Sequence, residues 1–315
     1  MGMRTAGSPI FVRGIFCPEA VWHGLLPVTV REENSYILLL FMEEDTMCSR
    51  IEMEGPVYNT RDLGGYTGKD GRTIRPHRLI RSGALGKCTE ADIRRLTEEY
   101  GLKTVVDLRT NGERAELPDP EIKGIEFIHT PLLSDAMLGI TREGQEQADS
   151  LSAMILELLQ EAENHPKEKM EAIYLALASD PFSIKGLKHF FEILSAQKEG
   201  AVLWHCSAGK DRVGTATALL LTALGVEREV IIRDYLLTNG YLKPETEAMT
   251  AKVAAKVQNE RILSGIRILN GAERSYIESM FAETERQCGS TGAFLRERLG
   301  LTDEKTEMLR DMYLE

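Results

Sequence analysis

Apolar and polar residues alternate along this chain in a way that predicts a few short strands among many helices. Compact apolar or β-branched runs predict buried strands at Arg78–Arg81, Thr104–Leu108, Glu126–Pro131 and Ala201–His205. Apolar residues at helical spacing predict helices near residues 89–100, 144–163, 167–179, 184–197, 213–224, 228–237, 243–258, 271–287 and 302–314. This order predicts an α/β sandwich, in which a small, partly parallel central sheet is flanked by helices and the C-terminal region is helical.

The first 50 residues do not share this regular pattern. They contain isolated strand-like pieces, Pro27–Arg31 and Ser35–Met42, followed by an acidic stretch. Two interpretations stay open: residues 1–50 are an appendage, or an internal methionine is the natural start of the chain. We expect residues 1–50 to be poorly ordered and non-catalytic, and residues 51–315 to form a single domain.

Composition and charge narrow the class of protein. The chain has 315 residues, of which 43% are hydrophobic and 28% charged, as expected for a soluble globular protein. Its net charge of −11 disfavours nucleic acid as a partner. No apolar run approaches the length of a membrane span, and no signal peptide is recognisable, so we expect a cytoplasmic protein, with secretion by another route left open. The five cysteines show no CxxC spacing, which predicts neither a metal site nor a disulfide framework.

The segment His205–Thr215, HCSAGKDRVGT, carries the candidate chemistry. It lies between a predicted strand and a predicted helix, and places Cys206 and Arg212 on a tight loop. Backbone N–H groups of such a loop and the positive end of the following helix favour an anion, and they also favour the thiolate form of a cysteine. Arg212 can offer two parallel N–H bonds to phosphate oxygens. The plainer interpretation of Cys206 is a buried cysteine that only fills the core.

Five motifs resemble a known family. The loop HCSAGKDRVG resembles the phosphate-binding loop of the cysteine-based protein tyrosine phosphatases. The further motifs occur in the order seen in the bacterial tyrosine phosphatase family, which includes secreted mycobacterial and listerial enzymes; these motifs are Asn59–Tyr66, Ile80–Leu85, Val105–Glu113 and Asp234–Asn239. The resemblance covers about residues 53 to 315. It implies hydrolysis of phosphotyrosine, and by extension of phosphoserine, phosphothreonine or phosphoinositides, through a cysteinyl-phosphate intermediate without metal or cofactor.

The resemblance and the chemistry together assign candidate roles. Cys206 is the expected nucleophile and Arg212 the expected clamp for the phosphate. The other expected phosphate-binding residues are Ser207, Ala208, Gly209 and Lys210. The leaving oxygen needs a proton from a carboxylic acid, for which we rank Asp211 first, Asp107 second and Asp180 a distant third.

Several residues near these have two open interpretations. Lys210 either meets a second substrate phosphate or is a solvated loop lysine, and His205 is expected to orient the loop rather than to act as a base. Arg61-Asp62 and Arg109 are expected to form structural ion pairs. The helical segment 243–269 is expected either to cover the site as a lid or to dock permanently on the core.

Two other functions compete with phosphatase activity. Most members of the cysteine-based phosphatase superfamily that the loop resembles carry Ser or Thr directly after the loop arginine, but this chain has Val213 there, with Thr215 as the nearest hydroxyl. This departure motivates a phosphate-recognition protein with little turnover as the alternative. Sulfur transfer of the rhodanese type also uses a cysteine loop, but it does not account for the Lys210–Arg212 run or for the surrounding motifs.

Overall fold

The computed structural model describes residues 49–138 and 165–315. The strand-like pieces expected before residue 48 and the helix expected at 144–163 lie outside this range. Backbone contacts divide the chain into the units Met1–Glu44 and Asp45–Glu315, and the expected division at residue 50 stays a prediction. None of the helices in the described part of the chain combines the length and apolar character needed to cross a bilayer.

Six strands form one mixed sheet. They are β1 (Ser49–Arg50), β2 (Arg61–Asp62), β3 (Leu79–Ser82), β4 (Leu102–Asp107), β5 (Glu126–His129) and β6 (Ala201–His205). Their spatial order is β1-β2-β3-β6-β4-β5, with the first two pairings antiparallel and the remaining three parallel. The predicted α/β architecture with a small, partly parallel sheet is therefore confirmed.

Ten α-helices lie in the described residues around this sheet. They are α1 (Glu90–Arg94), α2 (Asn111–Glu116), α3 (Pro166–Ser179), α4 (Pro181–Ala196), α5 (Asp211–Ala223), α6 (Arg228–Ala254), α7 (Glu260–Asn270), α8 (Arg274–Cys288), α9 (Thr291–Glu297) and α10 (Asp303–Tyr313). A π-helical turn, Arg95–Glu99, continues α1. Three helices were not predicted individually: α2, α7 and α9. Each begins after a side-chain cap, because Thr110, Asn259 and Ser290 each accept a backbone N–H of the first turn.

One predicted break is wrong. The pattern placed separate helices at 228–237 and 243–258, whereas α6 runs without interruption from Arg228 to Ala254 and contains Pro244. Asn239 does not cap its own helix, because its amide group donates to the carbonyl of Ala272 at 2.8 Å and accepts from the N–H of Ala272 at 2.7 Å. This pair of bonds holds the middle of α6 against the residues that follow α7, and the helix continues although Pro244 removes one of its backbone hydrogen bonds.

The central strand β6 is buried on both faces. Its side chains alternate between two hydrophobic clusters, with Val202 and Trp204 in the larger one and Ala201 and Leu203 in the smaller one. Helix α5, which follows β6, is buried along most of its length. The segment that joins β6 to α5 is therefore fixed at both ends by the core.

The register of the parallel strands brings polar residues to one edge of the sheet. His205 at the end of β6 pairs with Ser82 at the end of β3 and with Asp107 at the end of β4. Carboxyl ends of parallel strands form the crevice in which α/β proteins bind ligands. Cys206 directly follows the last residue of β6, so it emerges at this edge.

Candidate active site

The loop Cys206–Lys210 holds its carbonyl groups away from its centre. Every carbonyl from His205 to Lys210 accepts a hydrogen bond. The backbone N–H groups of Leu108, Ala84 and Gly214 donate to the carbonyls of His205 (2.9 Å), Ser207 (3.0 Å) and Lys210 (2.6 Å), respectively. The side-chain amide of Asn59 donates to the carbonyls of Ala208 (3.2 Å) and Gly209 (2.8 Å), and Arg81 Nη2 also donates to Gly209 (2.8 Å). The carbonyl of Cys206 is bonded to His205 Nδ1 (3.4 Å). The outward side of the loop is thus saturated.

The N–H groups of the same loop have no such partners. Among the described residues, no acceptor is bonded to a backbone N–H of residues 207–212. The loop ends at the N-terminus of α5, where unpaired N–H groups carry partial positive charge. Gly209 makes the curvature possible: its φ is +66°, and a Cβ there would lie 2.6 Å from the carbonyl oxygen of Ser82. The arrangement suits a tetrahedral anion.

Arg212 is oriented by Glu113, a residue the sequence analysis did not single out as functional. Both terminal nitrogens of Arg212 donate to the carboxylate of Glu113, one of them at 2.8 Å, and Ser207 Oγ donates to the same group at 2.6 Å. Burial disfavours the ionised carboxylate, but the hydrogen bonds and charge of Arg212 outweigh it and lower the pKa of Glu113 to about 2. Glu113 also completes the capping box of α2 with Thr110.

Asp234 of α6 lies under the loop between two buried arginines. Arg61 Nε donates to it at 2.9 Å, Arg81 Nη1 at 2.7 Å and Tyr66 Oη at 3.1 Å. Burial opposes ionisation of Asp234, but the charges of the two arginines prevail and lower its pKa to about 2. The expected structural ion pair of Arg61 exists, but its partner is Asp234. The neighbouring Asp62 instead accepts the N–H groups of Gly64 and His77.

These arginines are connected to the loop. Arg81 donates to the carbonyl of Gly209, and Arg61 donates to the side-chain oxygen of Asn59. Asn59 has a left-handed backbone, φ +61°, and its amide nitrogen bonds the carbonyls of Ala208 and Gly209. Asp234 therefore orients the residues that orient the loop.

Asp107, the second candidate for the general acid, is tied to Arg109. Arg109 donates from Nε to Asp107 Oδ1 at 2.9 Å and from Nη2 to Oδ2 at 2.8 Å. Burial raises the pKa of Asp107, but these hydrogen bonds and the neighbouring charges outweigh it and lower the pKa to about 2. A carboxylate held ionised in this way is poorly suited to donate a proton. The expected bracing role of Arg109 fits this geometry.

Asp211, the first candidate, is more accessible. It lies in the first turn of α5, where Tyr174 Oη donates to its Oδ1 at 2.8 Å and Lys210 Nζ approaches the same oxygen at 3.5 Å. Its Oδ2 has no hydrogen bond with a described residue.

The third candidate, Asp180, caps α4 by accepting from the N–H of Phe182 at 2.8 Å, which is the turn role that an Asp-Pro sequence favours.

Lys210 does not lie in solvent. Its ammonium group is buried and donates to the carbonyls of Leu269 and, at 2.9 Å, Gly271, at the C-terminal end of α7.

Beside the loop, Val213 is fully buried, and the hydroxyl of Thr215 is buried without a hydrogen-bond partner among the described groups. Thr215 thus does not donate to the sulfur of Cys206 in this structure.

Three potential metal ligands lie close together, Asp107, Asp119 and His205. However, Arg109 bonds Asp107 and also lies 3.0 Å from Asp119 Oδ2. A divalent cation would have to displace a buried guanidinium from both carboxylates, so the residues present do not favour one.

We expect Asp234→Asn to destabilise the fold by about 3–5 kcal/mol, because it removes the buried carboxylate that both arginines bond. Urea unfolding measures this loss. The matched control is Asp311→Asn, which removes an exposed carboxylate paired with Arg72 and should leave the free energy of unfolding nearly unchanged. Equal effects of the two substitutions would contradict the central role of Asp234.

Acid should unfold the protein through its paired carboxylates. Asp107, Glu113 and Asp234 have pKa values lowered to about 2 from ordinary values of 3.8 for Asp and 4.5 for Glu. Their stabilisation is complete above the ordinary values and is lost as pH falls from about 4.5 towards 2. Urea midpoints measured across this range should fall steadily, and less steeply in Glu113→Gln. A flat profile would show that these ion pairs do not stabilise the fold.

The chain is similar in sequence to known tyrosine phosphatases. The model of the tyrosine phosphatase family matches residues 51–315. A Cupriavidus necator protein named "Putative tyrosine-protein phosphatase" is 30% identical over 82% of this chain and 86% of its own length. The triple specificity protein phosphatase PtpB of Mycobacterium tuberculosis is 24% identical over 82% of this chain and 96% of its own length. The solved structure of P. aeruginosa TpbA in complex with pTyr covers 76% of this chain and 98% of that one, at 13% identity and a TM-score of 0.28. The family match spans most of the chain, and the chain belongs to the tyrosine phosphatase family.

Proposed function

We propose that this protein hydrolyses phosphotyrosine through a cysteinyl-phosphate formed on Cys206. The observation that carries the proposal is the loop 206–212, in which all carbonyls are bonded outward and all N–H groups of residues 207–212 are left for an anion. Arg212 adds two oriented nitrogens, and α5 adds its positive end. This is a preorganised site for a phosphate beside a buried thiol.

The proposed reaction has two steps. In the first, the Cys206 thiolate attacks phosphorus, the bond from phosphorus to the ester oxygen breaks, and Asp211 gives its proton to that oxygen. In the second, Asp211 takes a proton from a water molecule that attacks phosphorus, the S–P bond breaks, and the thiolate and inorganic phosphate are released. Arg212 and the loop N–H groups stabilise the equatorial oxygens in both steps.

Asp211 is assigned the acid role in preference to Asp107 for two reasons. Asp107 is ionised and bidentate with Arg109, whereas Asp211 has an oxygen with no bond to a described residue. Burial raises the pKa of Tyr174, so the tyrosine stays a neutral donor and fixes one side of Asp211. The other oxygen is left for the substrate.

The proposal extends beyond phosphotyrosine to phosphoserine, phosphothreonine and phosphoinositides. The relative from M. tuberculosis is named a triple specificity phosphatase. A substrate with a second phosphate, such as a phosphoinositide, would gain from Lys210, whose ammonium lies beside Asp211. That gain requires Lys210 to leave the carbonyls of Leu269 and Gly271.

A phosphate-recognition protein with slow turnover is the second candidate. The buried Val213 and the unbonded hydroxyl of Thr215 favour it, because neither donates to the cysteine sulfur when it leaves phosphorus. One hydrogen bond to a charged group is worth about 1.5–3 kcal/mol. Its absence would slow the second step rather than the first.

Cys206→Ser tests the nucleophile. Turnover of a phosphotyrosine peptide in the presence of EDTA should fall by about a thousandfold or more, because a hydroxyl does not ionise here. Binding of the same peptide, measured by calorimetry, should persist because the N–H groups remain. Turnover retained in the variant would exclude covalent catalysis at Cys206. Binding without turnover in the unsubstituted protein would favour the recognition function.

Asp211→Asn tests the acid. Its kcat should fall by about a hundredfold or more for an alkyl or phenyl phosphate, and far less for p-nitrophenyl phosphate, whose leaving group needs no proton. The matched control is Asp107→Asn, which removes the same charge from a group bonded to Arg109 and should affect all substrates alike. A larger leaving-group dependence in the control would reverse the assignment.

A further inference from the structure

Three buried tyrosines from different helices meet beside Asp211. They are Tyr174 of α3, Tyr235 of α6 and Tyr276 of α8, and each is almost completely buried. The centroid of the Tyr174 ring lies 5.9 Å from the centroids of the other two rings. A phenylalanine ring would fill the same space, so the contacts of the hydroxyl groups distinguish this cluster from ordinary core packing.

The hydroxyl groups of Tyr174 and Tyr235 are bonded in series to Asp211. Tyr174 Oη lies 2.8 Å from Asp211 Oδ1 and 2.7 Å from Tyr235 Oη. Burial, together with the nearby charge of Asp211, raises the pKa of both tyrosines, so both hydroxyl groups keep their protons. The hydroxyl of Tyr276, in contrast, is buried without a hydrogen-bond partner among the described groups.

The end of this series fixes its direction. Each hydroxyl has one proton to donate. If Tyr174 donated to Tyr235, the proton of Tyr235 would find no acceptor among the described groups, which is costly for a buried donor. If Tyr235 donates to Tyr174, and Tyr174 donates to Asp211 Oδ1, both protons have an acceptor. The geometry therefore favours the second arrangement.

This direction determines which oxygen of Asp211 carries the acid proton. Oδ1 accepts from Tyr174, and Lys210 Nζ lies 3.5 Å from the same oxygen. A proton on Oδ1 would therefore face a donated proton and an ammonium group. Oδ2 has no hydrogen bond with a described residue, so it is the oxygen on which the proton of the carboxylic acid belongs.

One turn of α6 reaches both the phosphate-binding loop and Asp211. Asp234 bonds Arg61 and Arg81, and the next residue, Tyr235, bonds Tyr174. Consecutive side chains on a helix point about 100° apart, so two neighbouring residues can contact different parts of the site. Gly214 of α5 makes room for the ring, because a Cβ there would lie 3.0 Å from Tyr235 Cδ2.

We infer that Tyr235 is a positioning residue that acts through Tyr174 to place the proton of Asp211 on Oδ2, the oxygen that gives it to the leaving group. The inference rests on the proposed function, because it concerns the acid of that reaction. Both tyrosines act through Asp211 and take no part in the bond changes at phosphorus.

Tyr235→Phe tests the inference, because it removes one hydroxyl and keeps the ring. We expect its kcat for phenyl phosphate to fall by about three- to tenfold and its kcat for p-nitrophenyl phosphate to fall far less, while KM changes little. Tyr174→Phe should show the same difference between substrates more strongly. The matched control is Tyr276→Phe, which removes an unbonded hydroxyl from the same cluster and should show no such difference. Equal losses on both substrates, or no loss, in Tyr235→Phe overturn the inference.

A double substitution separates positioning from packing. In an Asp211→Asn background, Tyr235→Phe should leave the ratio of the two kcat values unchanged, because no acid remains to be positioned. A further change in that ratio overturns the inference, since the hydroxyl of Tyr235 would then act by another route.

The direction of the series is measured without turnover. Proton NMR of the full chain follows the hydroxyl proton of Tyr174, with Tyr174→Phe used to assign its signal. We expect this signal to move upfield in Asp211→Asn, because its acceptor changes from a carboxylate to a neutral amide. An unchanged signal overturns the inference whatever the kinetics show. A moved signal, with no leaving-group dependence in Asp211→Asn, supports the direction of the series and counts against the proposed function alone.

Discussion

The pairing of Asp234 with Arg61 and Arg81 is the interaction on which the rest of the site depends. One carboxylate from α6 joins two guanidinium groups from β2 and β3, and through them it reaches the loop at Gly209 and at Asn59. Burying three charges is costly, and it is offset only where each has a partner. The geometry suggests why the cost is tolerated: the outward carbonyls of the loop are saturated, so its N–H groups can converge on an anion.

This arrangement also resolves an electrostatic difficulty. The chain carries a net charge of −11, yet its proposed substrates are anions. Beneath the loop, Arg61 and Arg81 place two guanidinium groups around Asp234, and Arg81 also bonds the carbonyl of Gly209 close to the N-terminus of α5. Local potential depends on such nearby, poorly screened charges more than on the distant surface. The acidic exterior can therefore coexist with an anion site.

Features formed by a contiguous segment could be predicted from the sequence, whereas contacts between segments far apart in the chain could not. The loop at 206–212 is contiguous, and the flanking strand and helix have clear apolar patterns, so its position and the partly parallel sheet could both be predicted. Glu113 lies 99 residues from Arg212 and Asp234 lies 173 residues from Arg61, and nothing in the pattern of either segment names its partner. Glu113 could have been suspected from its place at the end of the VVDLRTNGE motif.

The contacts of Lys210 connect two predictions that were made separately from the sequence: a lid over residues 243–269, and binding of a second substrate phosphate by Lys210. The hairpin of α6 and α7 buries a small cluster of its own, Val253, Ile262 and Ile266, apart from the main core. Near the loop, Lys210 holds the last carbonyls of α7 and Asn239 holds Ala272. If Lys210 turns to a second phosphate, α7 loses bonds to a charged donor worth about 1.5–3 kcal/mol each. Opening of a lid over residues 243–269 and binding of a second phosphate by Lys210 would then be coupled, because the same ammonium group cannot bond the carbonyls at the end of α7 and the substrate at the same time.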